Sequence, residues 1–297
     1  ADLFTVDAAS QIWKGRYENG KIAFDLVETH GGKYLNYMTY YQTDGSINFL
    51  PLFADDYPVI EDLDGDSDLD VLAFGGQTSV NYFQNMAVEN GYPLDSLVFN
   101  LVDDCLGRFS RNAENDAVLS DDINECAEGL ISVDDRAHLS LTVMVYDENN
   151  DGDMEAIVGA VTSSGFTKLN NTGTPQTAWM TESFPNFPDY DIPVDVRSYP
   201  TGFYVDIDND NLPEFLASPN HVENGEDKES AWLYKNTGSL DNVIWEFQQS
   251  DFLVGDMLDL GSNAAPAFVD YNTDGLMDLV VGTGGEWLWT ARGSLNL

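Results

Sequence analysis

The stretch PVIEDLDGDSDLDVLAFGG, residues 58–76, places a nine-residue acidic loop between two short apolar runs. Short apolar runs bounded by turn-forming residues are typical of buried strands. The loop begins at Asp62 and ends at Asp70, with an aspartate at every second position. This stretch therefore predicts a β-hairpin whose loop gathers several carboxylates.

The same arrangement occurs three more times in the chain. Residues 143–160 read VMVYDENNDGDMEAIVGA, residues 203–217 read FYVDIDNDNLPEFLA, and residues 266–283 read PAFVDYNTDGLMDLVVGT. The four loops, called loops 1 to 4, begin 85, 59 and 64 residues apart. Self-similarity on this scale indicates a repeat architecture.

A second shared element follows the first three loops. The segments VNYFQN (80–85), FTKLNNTG (166–173) and WLYKNTGS (232–239) each join a strand to a turn that contains asparagine. A further strand-like stretch comes next, such as SLVFNLV (96–102) or VIWEFQQ (243–249). One repeat is thus about four short strands in roughly 60 residues. An all-β fold, with each repeat forming one blade of a β-propeller, is the prediction. A β-helix or solenoid is the alternative, although its repeats are much shorter.

The four loops share a pattern of oxygen-bearing side chains. Positions 1, 3, 5 and 9 always carry Asp, Asn or Glu, while position 7 is Asp or Leu, so we expect position 7 to act through its backbone carbonyl. The residues at positions 1, 3, 5, 7 and 9 are Asp62, Asp64, Asp66, Asp68 and Asp70 in loop 1; Asp147, Asn149, Asp151, Asp153 and Glu155 in loop 2; Asp206, Asp208, Asp210, Leu212 and Glu214 in loop 3; and Asp270, Asn272, Asp274, Leu276 and Asp278 in loop 4.

Such a ligand set suits a hard cation with flexible geometry, and it predicts about four calcium ions, one in each loop. Zinc or copper would need imidazole or thiolate ligands, and magnesium demands a stricter octahedron. Gly152 and Gly275 at position 6 allow a positive φ, and Ser67 and Asn211 replace them in the other two loops. A solvated acidic turn is the alternative for one loop. Four loops in register favour metal, because converging carboxylates repel one another without a cation.

Composition narrows the range of partners. The chain has 12 Lys and Arg against 52 Asp and Glu, a formal net charge of −40, which disfavours nucleic acid and anionic membranes and favours cations, basic partners or neutral glycans. No run of 18 apolar residues is present, so no membrane insertion is expected. The three histidines, His30, His138 and His221, and the many acids form no recognisable catalytic constellation, so the chain itself is not predicted to be an enzyme.

An insertion at about 103–136 separates the first two repeats and holds both cysteines. A Cys105–Cys126 bridge would close a loop of about 20 residues, worth roughly 3 kcal/mol in the chain-entropy model. Two unpaired thiols are the alternative. Because both cysteines lie in one loop-like segment, we predict the disulfide and an oxidising compartment.

The acidic loops resemble the FG-GAP/VCBS repeats of integrin α-subunit propellers and of bacterial surface proteins, over nearly the whole chain. The segments DLDGDSDLDVLAFG, CLGRFS, NECAEG, WLYKNTGS and 247–285 are closer still to a family of secreted Bacteroidetes proteins. This resemblance implies export by the type IX secretion system and a location on the cell surface or in the medium.

The two ends resemble parts of repeats. ADLFTVD (1–7) matches the tail of a repeat, and GSLNL (293–297) resembles the start of a strand. We therefore expect residues 1–297 to form one propeller domain of about five repeats, with both ends inside blades, as a partial seven-bladed ring. A closed ring of five blades is the alternative.

The predicted function is a calcium-stabilised binding or adhesion module of a secreted surface protein, with an extracellular protein or a polysaccharide as its partner. One alternative is the carbohydrate-binding or catalytic part of a secreted polysaccharide-degrading enzyme. Another is a component of a surface assembly in which the remaining blades come from another chain.

Overall fold

A computed structural model describes the backbone of residues 3–5 and residues 11–27, 37–52, 57–74, 78–112, 117–129, 141–174, 177–220, 229–257 and 265–282. These residues form strands and turns without any helix, which confirms the all-β prediction. The chain divides into two units, Ala1–Phe252 and Leu253–Leu297. The histidines, residues 1–2, residues 283–297 and parts of the insertion (113–116 and 130–136) lie outside the described residues.

The described strands are, in chain order, β1 (Leu3–Thr5), β2 (Gln11–Glu18), β3 (Lys21–Leu26), β4 (Thr39–Tyr41), β5 (Ile47–Phe49), β6 (Val59–Glu61), β7 (Asp70–Ala73), β8 (Asn81–Asn85), β9 (Phe99–Asp103), β10 (Phe109–Arg111), β11 (Ala117–Leu119), β12 (Leu141–Tyr146), β13 (Glu155–Ala160), β14 (Phe166–Asn171), β15 (Met180–Phe187), β16 (Pro200–Val205), β17 (Glu214–Pro219), β18 (Trp232–Asn236), β19 (Trp245–Gln249), β20 (Ala265–Val269) and β21 (Asp278–Gly282).

The predicted four-stranded repeats are present in the first unit. The order β12-β13-β14-β15 forms one antiparallel sheet and β16-β17-β18-β19 another. Strands β9-β8-β7-β6 form a third array, which β4 and β5 extend to six strands through a parallel β4–β9 pairing. Loops 1, 2 and 3 each join the first two strands of one array, as the sequence predicted. Strands β1-β2-β3 form a smaller sheet, and in the second unit loop 4 joins the antiparallel pair β20–β21.

The β12–β15 sheet packs on both of its faces. Along β12, Val143 faces a hydrophobic cluster that includes Leu72 of β7, whereas Met144 faces a second cluster that includes Trp245 of β19. Every residue of β12 and β13 is buried as a result. A strand covered on both faces needs a continuous apolar run, and the sequences VMVY and AIVGA supply it.

The first strands of successive arrays lie side by side. Tyr57, just before β6, forms a parallel bridge with Thr142 of β12. The hydroxyl of Thr142 in turn donates to the carbonyl oxygen of Pro200, at the start of β16, over 2.5 Å. Because these strands start next to one another, the acidic loops follow from neighbouring strand ends.

The asparagine turns after β14 and β18 have the same construction. The side-chain oxygen of Asn171 accepts a hydrogen bond from the N–H of Gly173, and that of Asn236 accepts one from Gly238, both over 3.0 Å. A Cβ atom on either glycine would lie 2.1 Å from a backbone carbonyl oxygen across the turn. Glycine is therefore required by close backbone approach, which explains the shared NTG sequence.

The described part of the insertion contains a disulfide and contacts neighbouring sheets. Cys105 and Cys126 form the predicted disulfide, with Cα atoms 5.9 Å apart. Strands β10 and β11 pair as a hairpin, and the side chain of Phe109 enters the cluster that also holds Leu72. The N–H of Met180 in β15 donates to the carbonyl of Gly107 over 2.9 Å, which connects the insertion to the β12–β15 sheet.

Replacing both cysteines by serine is expected to lower the free energy of unfolding by about 3 kcal/mol, because the 21-residue cross-link restricts the unfolded chain. Urea denaturation of the oxidised wild type and the double variant measures this. Reduction of the wild type should produce the same shift. Equal unfolding free energies for the two proteins would contradict the prediction.

Candidate metal centres

All four acidic loops share one hydrogen-bonded frame, which begins at position 1. The Oδ2 atom of each first aspartate accepts a hydrogen bond from the N–H of position 6 over 2.8–3.0 Å. Position 6 has a positive φ in every loop, as the sequence predicted: Ser67 (80°), Gly152 (89°), Asn211 (69°) and Gly275 (90°). The turn is thus held by a side chain and by left-handed backbone together.

Position 4 is also left-handed in every loop, which the sequence analysis missed. Its φ lies between 60° and 82° at Gly65, Asn150, Asn209 and Thr273. Glycine and asparagine tolerate this region best, and they occupy three of these four positions. That preference was a signal in the sequence that could have revealed the second left-handed position.

Positions 3 and 5 continue the same frame. The Oδ1 atom of position 3 accepts the N–H of position 5 over 3.0–3.2 Å. The Oδ1 atom of position 5 accepts the N–H of position 7 over 2.8–3.0 Å. One oxygen of each side chain therefore shapes the backbone. At position 5 this leaves the Oδ2 oxygen outside the backbone frame.

Position 9 closes each loop at its base. One carboxylate oxygen of Asp70, Glu155, Glu214 and Asp278 accepts the N–H of position 2 over 2.9–3.2 Å. These acids are the first residues of β7, β13, β17 and β21, so the second strand of each hairpin holds the end of the loop. Leu212 and Leu276 at position 7 lie within the same frame, and the role predicted for their carbonyl oxygens stays a prediction.

Carboxylates converge most closely in loops 1 and 3. In loop 1, Asp62, Asp64 and Asp66 each place one oxygen within 4.8 Å of the others. In loop 3, Asp206, Asp208 and Asp210 do the same. Two oxygens that bind one cation at 2.3–2.6 Å lie no more than about 5 Å apart. These acidic triads can therefore hold a metal ion.

Asparagine takes the place of one acid in loops 2 and 4. The amide nitrogen of Asn149 donates to Oδ2 of Asp151 over 2.8 Å, and that of Asn272 donates to Oδ2 of Asp274 over 2.9 Å. Each of these two loops thus brings an amide group and its position-5 carboxylate together. The amide oxygen is still a suitable ligand for a hard cation, at a lower negative charge.

Several loop carboxylates carry a buried oxygen that has no hydrogen-bond partner among the described residues. These oxygens are Oδ2 of Asp66, Oδ1 of Asp68, Oδ1 of Asp153 and Oε1 of Glu214. A buried carboxylate oxygen without a partner is costly, because it has lost water and gained nothing in return. A cation would satisfy these atoms, so the residues present fit a metal ion.

Burial also shifts the acid–base behaviour of the loop carboxylates. It raises the pKa of Asp70 and of Glu155 to about 7, and it raises the pKa of Asp68 to about 6, with the charges of Asp66 and Glu89 adding to the effect. An elevated pKa means that the environment disfavours the anion. A bound divalent cation would favour it.

Side chains from the third strand of each array reach into loops 1 and 3. Lys235 of β18 contacts Oδ2 of Asp208, and its ammonium lies 3.4 Å from Oδ2 of Asp210. This contact lowers the pKa of Asp208. Gln84, at the matching place in β8, donates to Oδ2 of Asp64 over 2.6 Å. Neither residue could be identified from the loop pattern, because both are distant from their loops along the chain.

Loop 2 is also joined to the next sheet. The amide of Asn150 donates to Oδ1 of Asp241 over 2.9 Å, and the N–H of Val243 donates to the carbonyl of Glu148 over 3.0 Å. Asp241 and Val243 belong to the connection between β18 and β19. The conformation of this loop therefore influences the packing of two neighbouring sheets.

Comparisons of the chain with protein-family models, with curated proteins and with solved structures find no match. The geometry of the loops therefore carries the functional argument.

Glu214→Gln separates the charge of position 9 from its structural hydrogen bond. The amide oxygen can still accept the N–H of Ile207, but the negative charge at the unpartnered oxygen is lost. We expect calcium to stabilise the variant less than the wild type, by about 2.7 kcal/mol if loop 3 no longer fills at 100 times its Kd. Thermal unfolding in excess calcium and in excess EDTA measures this.

The matched control is Glu182→Gln, on an exposed position of β15. It should leave the calcium-dependent rise in Tm unchanged. In EDTA, Glu214→Gln should be at least as stable as the wild type, because it removes a buried charge. A loss of stability that is equal in calcium and in EDTA would show that Glu214 stabilises the fold independently of calcium, which contradicts the prediction.

Proposed function

We propose that this chain is a calcium-stabilised extracellular binding module. The observation that carries the proposal is the frame repeated in four loops, in which backbone N–H groups donate to the side chains at positions 1, 3, 5 and 9. In loops 1 and 3 three carboxylates also converge. A frame repeated at four separate places in the chain is unlike an incidental acidic turn. It supports a cation in each loop, about four in all.

Calcium is the proposed ion because the loops offer oxygen ligands only. Positions 1, 3, 5 and 9 supply side-chain oxygens, and position 7 supplies a backbone carbonyl, an arrangement that suits the higher coordination number of calcium over the strict octahedron of magnesium. The ion would neutralise the converging carboxylates and hold the first hairpin of each repeat in its folded form. Its role here is structural.

A β-propeller of the FG-GAP/VCBS type is the proposed architecture. Support comes from the four-stranded arrays, which pack face to face in series, and from their first strands, which start next to one another. A propeller arranges four-stranded blades side by side around a central channel, and adjacent first strands are compatible with that arrangement. We propose a seven-bladed ring, of which residues 1–297 supply about five repeats.

An extracellular location is supported by the Cys105–Cys126 disulfide, because such bonds persist in oxidising compartments. Calcium sites of moderate affinity also fill in the millimolar calcium found outside cells. No helix among the described residues is long and apolar enough to span a membrane. Export by type IX secretion is proposed on the sequence resemblance alone.

The proposed activity is adhesion to an extracellular protein or a polysaccharide. With 52 acidic and 12 basic residues, the surface repels nucleic acid and anionic lipid. Protein partners with basic surfaces and neutral glycans remain compatible with it. A rigid, metal-braced scaffold that presents loops is a common way to build such a binding surface.

The test is solid-phase binding of the intact chain to a panel of plant, algal and bacterial polysaccharides and to collagen and fibronectin. We expect saturable binding to one class, lost in EDTA and restored by calcium. The same polysaccharides are assayed for new reducing ends or unsaturated products. Conversion of any polysaccharide to products would favour the enzyme alternative over adhesion. The absence of binding to every probe would overturn the proposal.

A further inference from the structure

Glu89 lies beside loop 1 without belonging to it. It is an exposed residue in the turn that follows β8, and one of its carboxylate oxygens lies within 4.8 Å of oxygens from Asp66 and Asp68. This triad shares only Asp66 with the triad of Asp62, Asp64 and Asp66. Loop 1 therefore brings together two acidic clusters, which overlap at one carboxylate.

Asp68 gives the second cluster a buried ligand that the loop frame does not use. Asp68 is only 1% exposed, its Oδ2 atom accepts a hydrogen bond from the N–H of Val88 over 3.1 Å, and Oδ1 has no partner among the described residues. The hydrogen bond from Val88 accounts for the Oδ2 atom of Asp68, whereas its Oδ1 atom is buried without a hydrogen-bond partner among the described residues. Leucine occupies the same position in loops 3 and 4, so a loop of this type needs no carboxylate there.

Asp66 is placed to bridge the two clusters. Its Oδ1 atom accepts a hydrogen bond from the N–H of Asp68 over 3.0 Å, while Oδ2 is buried without a hydrogen-bond partner among the described residues. Carboxylates that belong to two adjacent sites commonly link divalent cations about 3.5–4 Å apart. One shared aspartate is therefore compatible with two ions.

Gln84 fixes Glu89 next to the loop without adding charge. Its amide nitrogen donates to Oδ2 of Asp64 over 2.6 Å and to Oε1 of Glu89 over 2.8 Å. In loop 3 the matching residue is Lys235, whose ammonium binds two of the loop carboxylates. Loop 1 thus contacts the neutral side chain of Gln84 where loop 3 contacts the positively charged side chain of Lys235.

The charge around loop 1 exceeds what one divalent ion can offset. None of the six carboxylates in or beside loop 1 forms an ion pair with a Lys or Arg among the described residues. The six carboxylates belong to Asp62, Asp64, Asp66, Asp68, Asp70 and Glu89. One calcium ion would leave four formal negative charges within this cluster. A second cation lowers that repulsion further.

We propose that loop 1 binds two divalent cations, the loop ion and a second ion held by Asp66, Asp68 and Glu89. The chemistry of the second ion rests on the proposed function, so calcium is the cation expected. Because Glu89 is exposed, the second ion keeps part of its water shell and binds more weakly than the first. Loop 1 would then differ from the other three loops in its stoichiometry.

The test counts calcium bound to the intact chain, by equilibrium dialysis up to millimolar calcium followed by elemental analysis. Glu89→Gln is expected to bind one ion fewer than the wild type and to keep most of the calcium-dependent rise in Tm. Glu182→Gln is the matched exposed control and should bind the full number. In EDTA both variants should be at least as stable as the wild type, since Glu89→Gln removes one repelling charge, and this shows that the substitutions leave the fold intact.

Terbium provides a second readout, since Tb3+ replaces calcium at oxygen sites. A second lanthanide that quenches Tb3+ at short range should shorten its emission lifetime in the wild type and less so in Glu89→Gln. Equal calcium counts and equal quenching in the two proteins would overturn the two-ion site while leaving one ion per loop intact. A wild type that binds no calcium would instead overturn the proposed function.

Discussion

Carboxylates packed into one short turn repel each other, and the rest of the structure depends on how this repulsion is contained. In each acidic loop the backbone N–H groups of positions 2, 5, 6 and 7 donate hydrogen bonds to the side chains at positions 9, 3, 1 and 5. These bonds hold the turn in shape, but they do not cancel its charge. The buried oxygens that remain without partners in loops 1, 2 and 3 show where the charge is still unbalanced.

The sheets transmit this local constraint through the first unit. Position 9 of each loop is the first residue of a second strand, so a well-formed loop sets the register of the hairpin that follows it. The β12–β15 sheet then packs on both faces, through Leu72 and Val143 on one side of β12 and through Met144 and Trp245 on the other. If loop 2 opened, its hairpin would disturb both hydrophobic clusters at once, which is why cation binding is expected to affect global stability.

The four loops are alike in frame and different in charge. Loops 2 and 4 use asparagine at position 3, loop 3 is partly neutralised by Lys235, and loop 1 collects the acids of its own frame together with Glu89. Affinity for a cation is set by the number of charged ligands and by their rigidity. The repeats therefore share one folding device but are not equivalent as binding sites.

Local patterns in the sequence were sufficient for the all-β fold, the strand order within repeats, the positive φ at position 6 and the Cys105–Cys126 pair, because each depends on residues close together in the chain or, for the cysteines, on there being only two. The acids at positions 1, 3 and 5 of loops 1 and 3 converge within those loops. Three placements could not be predicted from spacing along the chain: Gln84 beside Asp64, Glu89 near Asp68, and Lys235 beside Asp208. About 20 to 27 residues separate these partners, and they meet only because antiparallel pairing of the second and third strands brings the end of the third strand back beside the loop. Local chemistry follows from spacing along the chain, whereas the charge balance of each loop depends on which side chain the folded sheet places next to it.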